Sequence, residues 1–315
     1  MHSQTLKGFL LAMVAGFCWG SMGVAVQASM QESSLSALDL VCLRTIIAGV
    51  LLSLFSLFAA RASVKTLFSD KRLMLDTALY GVIVFCAHYT FFLSISASSA
   101  AMAAVILMLS PLVVILWVAF RTKKPISPAE FVSFVLALAG TVLIITKGHL
   151  DFSEMSIAGA AWGLISSVFA GAAVVQPIHA LKREGSLVLV GWGMLFSGAL
   201  SFAIHPFTRI DVEWTPELAA LVGYVAVIGT ALAFVLYMKS LEFIPPAVTS
   251  ILVCFEPLSA VILSVLLLGM SFTTAEVIGG MLIFATVFVL FKGSESQKKG
   301  KRRGSEKERV PEEGF

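Results

Sequence analysis

The stretch FFLSISASSAAMAAVILMLSPLVVIL, Phe91 to Leu116, and a second, YMKSLEFIPPAVTSILVCFEPLSAVI, Tyr237 to Ile262, decide the reading of this chain. Laid together without a gap, they set Pro111 on Pro257, Leu112 on Leu258, Ala101 on Ala247 and Ser94 on Ser240. Identities are few, but the pattern is shared. One apolar segment ends, a short break of small residues or prolines follows, and a second apolar segment opens with a proline near its middle. A proline there lacks an amide proton and disturbs the carbonyl four residues earlier. Those carbonyls belong to Leu107 and Val253. Paired interruptions at matching places in two halves point to a binding site between the halves, near the bilayer midplane.

Composition sets the class. Of 315 residues, 58% are hydrophobic and only 13% charged, with a mean hydropathy of +0.95. Soluble domains carry about 25% charged residues, so a chain this apolar reads as an all-α polytopic membrane protein. The four cysteines, Cys18, Cys42, Cys86 and Cys254, sit in apolar runs without metal-ligand spacing, and no metal or other cofactor is expected.

A span needs about 20 mainly apolar residues. Ten are expected: Leu6–Val26, Leu38–Ala60, Leu75–Ser96, Ser99–Phe120, Glu130–Thr146, Ile157–Val175, Leu187–His205, Glu217–Met238, Pro246–Leu268 and Ala275–Phe291. Charge placement follows this count. Arg61, Lys65, Lys71, Arg72, Arg121, Lys123, Lys124, Lys182 and Arg183 fall in alternate connections. The intervening ones are acidic or balanced, with Glu32, then Asp151 and Glu154 against Lys147, then Asp211 and Glu213 against Arg209. Lys/Arg bias marks the cytoplasmic side, which puts both termini inside. Ten spans divide into two five-helix halves, 1–146 and 147–292, and an odd number per half inverts the second copy. The register extends to SPAE at Ser127–Glu130 against TTAE at Thr273–Glu276. After Lys292 the composition turns polar, and residues 293–315 read as a disordered basic cytoplasmic tail. Its run Lys298–Arg303 suits anionic headgroups, and it has no interleaved aromatics to suggest nucleic acid.

The chain resembles the drug/metabolite transporter superfamily, in particular the EamA family. The resemblance rests on Phe17-Cys18-Trp19-Gly20 in the first span, Arg44 early in the second, and the small-residue break with a proline-centred helix in both halves. It covers the chain to about Lys292. It implies ten helices in two inverted repeats, a central cavity and transport of small metabolites. One departure stands out: a glutamate common in the family after the Leu-Gly that closes the ninth span is here Met270.

Charge inside a bilayer costs about 2.5–3.5 kcal/mol per residue on insertion scales, so it marks a functional candidate. Glu256, directly before Pro257, is the leading one, as a proton carrier or a contact for an amine; its structural alternative is an ion pair, with Arg44 as the partner. Arg44 suits a carboxylate, a gate or a structural contact. His88 suits a proton relay or an interior hydrogen bond. Lys239 and Glu242 read as an interfacial pair or a gate. Trp19, Trp162, Tyr237 and Phe255 are candidate cavity aromatics. Gly16, Gly20 and Gly23, and likewise Gly159 and Gly163, form small-residue faces for close helix contact.

No catalytic or nucleotide-binding motif is present, so neither an enzyme nor an ATP-driven pump is expected. The expectation is a secondary-active inner-membrane transporter exporting small metabolites, such as amino acids or related amines, with protons as a candidate partner. The alternatives are an uncoupled facilitator of another metabolite class, or a non-transporting receptor or assembly subunit recruiting partners through its tail. Nothing in the sequence chooses between a monomer and a homodimer.

Overall fold

The computed structural model describes residues 2–98, 100–149, 156–205, 212–268 and 272–307. Among them are ten helical stretches long and apolar enough to cross a membrane: Gln4–Met30, Leu38–Ala59, Lys71–Ala97, Met102–Thr122, Pro128–Thr146, Ile157–Glu184, Ser186–Ile204, Pro216–Ser240, Pro246–Leu263 and Thr274–Gly293. They are referred to below as the first to tenth spans. Polar side chains start many of them. Ser36 and Asp39 close a reciprocal capping box on the second span, Asp70 accepts the Arg72 and Leu73 amides at the third, and Thr273 with Glu276 does the same at the tenth. Each such cap satisfies amide donors that an α-helix leaves unpaired in its first turn.

Both proline-centred spans are interrupted at the expected residues. The fourth divides into Ala100–Leu107 and Ser110–Thr122. The ninth divides into Pro246–Ile251, a 3-10 turn Leu252–Cys254, and Phe255–Leu268. Pro111 and Pro257 thereby lie in the first turn of a new helix, where the missing amide costs nothing. The sixth span supplies a hydroxyl to the first break. The Ile106 carbonyl accepts the Leu109 amide at 3.0 Å and the Ser167 hydroxyl at 2.7 Å.

The eighth span carries an irregularity that no proline marks. Val227–Leu232 is a π-helical turn, and the Thr230 hydroxyl donates to the carbonyl of Val225, five residues back, at 2.8 Å. π turns insert one extra residue and cluster at functional sites. This one packs on the first and second spans.

The spans meet in matched combinations. The fifth packs on the tenth and the second on the seventh; the third packs on the sixth as the eighth packs on the first; the fourth packs on the sixth as the ninth packs on the first. Pro246–Ile251 also meets Ser110–Thr122, so the two interrupted spans touch. Several contacts are backbone to backbone. An added Cβ at Gly140 would stand 2.7 Å from the Gly279 carbonyl, and one at Gly279 would stand 2.6 Å from that of Gly140. Further along the same pair of helices, Ser133 and Thr286 exchange hydroxyl-to-carbonyl hydrogen bonds of 3.5 and 3.4 Å.

At one end of the bundle, His205 beyond the seventh span donates from Nε2 to Asp39 Oδ1 on the second. The other Asp39 oxygen accepts the Ser36 amide at 2.6 Å and hydroxyl at 2.7 Å. At the end where the third span begins, His179 Nδ1 lies 3.0 Å from Asp76. Beside it the Thr77 hydroxyl donates to buried Glu184 at 3.2 Å. Gly185, with φ of 81°, makes the single-residue joint between Ile178–Glu184 and the seventh span. That left-handed backbone favours glycine.

The last helix runs Thr274–Lys307, past the end of the tenth span. The stretch up to Lys307, expected to lack fixed structure, is thus helical here. Its Gln, Lys, Arg and Glu residues are good helix formers, and extending an existing helix needs no new nucleus. Residues 308–315 lie outside those described.

Gly16 and Gly20 make the close helix contact expected of them, against the ninth span, whereas among the described residues nothing lies within 4 Å of a Cβ at Gly23. At Gly20 a Cβ would stand 2.8 Å from the Ala260 amide nitrogen and closer still to the Ser259 hydroxyl and Glu256 carbonyl. Gly20→Ala should therefore destabilise the protein by about 1–3 kcal/mol through overpacking, while Gly23→Ala should leave stability unchanged or slightly raised. Thermal unfolding of the two variants in detergent checks this.

Candidate functional site

The side chains singled out in the sequence gather beside the interrupted spans. Trp19 on the first span meets two rings of the eighth. Its centroid lies 5.2 Å from Phe234, edge-on at 74°, and 5.2 Å from Tyr237, tilted at 54°. His88 on the third span stands edge-on to Phe234 from another side, 6.1 Å between centroids. Aromatic pairs favour such edge-to-face geometry. Tyr237 is buried in the same cluster as Tyr80, whose hydroxyl has no partner.

Arg44 is only 8% exposed. Its Nη1 points at the Met22 sulfur, 3.5 Å away, and its Nε has no acceptor among the described residues. Met22 follows Trp19 by one helical turn, so both occupy one face of the first span. It also fills the space opposite Gly229 in the π turn, where a Cβ would come within 2.6 Å of the Met22 sulfur. The small residue at the turn is what lets Met22, and Arg44 behind it, approach the eighth span.

Glu256 is half-buried in the ninth span, whose backbone lies against Gly16 and Gly20. Arg44 is within electrostatic reach of both Glu256 and His88. The ion pair read as Glu256's structural alternative does not form in this conformation. Among the described residues the salt bridges join Asp76–His179, Asp70–Arg183, Asp39–His205 and Lys239–Glu242. The structure thus brings Arg44, His88, Glu256, Trp19 and Tyr237 into one region beside the Pro257 helix, which packs on the first span. Trp162 is 37% exposed on the sixth span and Phe255 packs edge-on to Phe284 of the tenth at 5.9 Å, so neither joins the Trp19 cluster. Lys239 and Glu242 form a local pair at 2.7 Å. Met270 lies outside the described residues.

Phe234, Met22 and the π turn are members of the region that the sequence did not single out. Phe234 carried one signal: it sits one turn before Tyr237, on the same face. The π turn carried none beyond a threonine in mid-span. Among the described residues there is no group of three or more His, Cys, Asp or Glu able to hold a metal.

Ten apolar helices, two of them broken at matched prolines, with ionisable side chains gathered beside the breaks, define a polytopic membrane protein with an interior polar site. The sequence profile of the EamA-like transporter family matches residues 6–146 and again 157–292, and the chain belongs to that family. It is 32% identical over 288 residues to the inner membrane transporter YicL of Salmonella typhimurium, itself described as uncharacterized, covering 91% of this chain and 96% of that one. It is 26% identical over 223 residues to the threonine/homoserine exporter RhtA of Escherichia coli, covering 69% and 71%. A crystal structure shares the fold with a TM-score of 0.77 at 19% identity, over 91% of this chain and 96% of its own.

The Lys239–Glu242 side chains are 42% and 29% exposed. An exposed pair of this kind contributes only about 0.2–1 kcal/mol. Glu242→Gln should therefore leave the unfolding temperature nearly unchanged, and a drop as large as that of Gly20→Ala would show the pair to be part of the packed interior.

Proposed function

We propose that this protein is a secondary-active inner-membrane carrier that exports small metabolites, amino acids or related amines, by alternating access between two inverted five-helix repeats. The observation that carries the reading is the gathering of Arg44, His88 and Glu256 beside two mutually packed, interrupted spans. Charge is retained in a bilayer interior where it meets a polar ligand or a moving proton, and broken helices are tolerated where they border a cavity.

The packing supports two repeats. The register that sets Pro111 on Pro257 also sets Gly140 on Thr286 and Ser133 on Gly279. Exchanging the halves therefore turns the Gly140–Gly279 contact into the Thr286–Ser133 contact, and both are present. The two separate matches of the family profile support the same division. Export and the amino-acid class are supported by the likeness to the threonine/homoserine exporter, and cytoplasmic termini by the Lys/Arg bias of alternate connections.

Coupling to protons is assigned to Glu256, the carboxylate nearest the ninth-span break. Proteoliposomes containing the purified protein and labelled L-threonine or L-homoserine test this under an imposed pH gradient. Wild-type protein should accumulate one of these substrates against its gradient. Glu256→Gln should lose that accumulation while retaining one-for-one exchange. Wild-type flux indifferent to the pH gradient would overturn the coupling and leave an uncoupled facilitator.

A further inference from the structure

We propose that Arg44 and His88 form a carboxylate subsite, so that the carrier takes organic acids, including amino acids, and rejects the corresponding amines. The proposal rests on the carrier reading of the same site and narrows its ligand class.

The first ground is an unmet demand. A guanidinium has five N–H donors and no acceptor. Among the described residues Arg44 makes one hydrogen bond, to a thioether, a weak acceptor, and its buried Nε has no partner. Leaving a buried charged donor unpaired costs several kcal/mol, of the order that breaking a buried ion pair costs. A purely structural arginine would be expected to close on an opposite charge such as Glu256, but among the described residues no such salt bridge forms. The second ground is independent. His88 Nδ1, on a different span, is also buried without a partner among the described residues. Phe234 adjoins the His88 ring, and the π turn just before Phe234 adjoins Met22, on which Arg44 rests.

An acceptor with two oxygens fits these groups. A carboxylate takes paired N–H donors from a guanidinium in one plane, and its second lone pairs remain open to an imidazole N–H. The charge balance favours a zwitterion when Glu256 is ionised and a monoanion when it is protonated, and a phosphate dianion in neither case. Arg44 brings one cation and Glu256 one carboxylate, which an ammonium group on the ligand would balance. The Trp19 and Phe234 rings then offer an apolar surface to the rest of the ligand.

Full-length protein in detergent is titrated with four compounds sharing the 3-methylbutyl group: L-leucine, 4-methylpentanoate, L-leucinamide and 3-methylbutylamine, read by thermal stabilisation. The two acids should bind, and the amide and amine should bind at least about tenfold more weakly, the loss expected for a charged hydrogen bond. Arg44→Gln should erase that difference, whereas Arg44→Lys should keep part of it. If Arg44→Gln does not fold, the wild-type ranking alone decides. Equal binding of acid and amide, or binding by none of the four, overturns the subsite. Flux is measured separately in proteoliposomes. Acid-selective binding without flux removes the carrier reading and keeps the subsite; flux without acid preference does the reverse.

Discussion

Every backbone amide and carbonyl in this bundle must find a partner without help from water, and each unmet group in hydrocarbon costs several kcal/mol. Two prolines break that rule in the middle of the fourth and ninth spans, and much of the architecture answers them. The chain restarts a helix at each proline instead of bending one helix through it. Ser167 on the sixth span turns a hydroxyl onto the Ile106 carbonyl, which ties the break to the opposite half. The ninth span instead tightens into a 3-10 turn and lays its restarted helix against Gly16 and Gly20. The interruptions are therefore fixed elements, held by neighbours.

Close approach is the second half of the same economy. Lipid offers apolar side chains no hydrophobic reason to prefer each other, so helices associate through tight packing and hydrogen bonds. Here glycine meets backbone at the first–ninth, second–seventh and fifth–tenth contacts. Hydroxyl bonds reinforce the same pairs, as between Ser133 and Thr286, and the charged side chains of the interior take no part in them. Arg44 illustrates this: it rests on a thioether beside a π turn, in a position that packing alone does not explain.

Features governed by a single residue's chemistry were legible in the sequence. Proline acts on its own helix, so the breaks at Leu107 and Val253 could be read from Pro111 and Pro257. Charges in apolar runs stand out, so Arg44, His88 and Glu256 could be named before their surroundings were known. What could not be read is what neighbours decide. No residue in Val227–Leu232 forbids an ordinary α-turn; the π geometry comes with the packing of Gly229 on Met22. Trp19 and Trp162 look alike as tryptophans in spans, and only the fold separates the clustered one from the exposed one. Gly23 shares a face with Gly16 and Gly20 along the helix, yet the ninth span has diverged by that depth.

The imidazole–carboxylate pairs bear on motion. Asp39–His205 ties the second span to the seventh where the second begins, and Asp76–His179 ties the third to the sixth where the third begins. Consecutive spans run in opposite directions, so these ties lie at opposite ends of the bundle, and each joins one half of the chain to the other. Both are made in this structure. Parting the halves at either end would require undoing the tie at that end, as each door of a canal lock has its own latch.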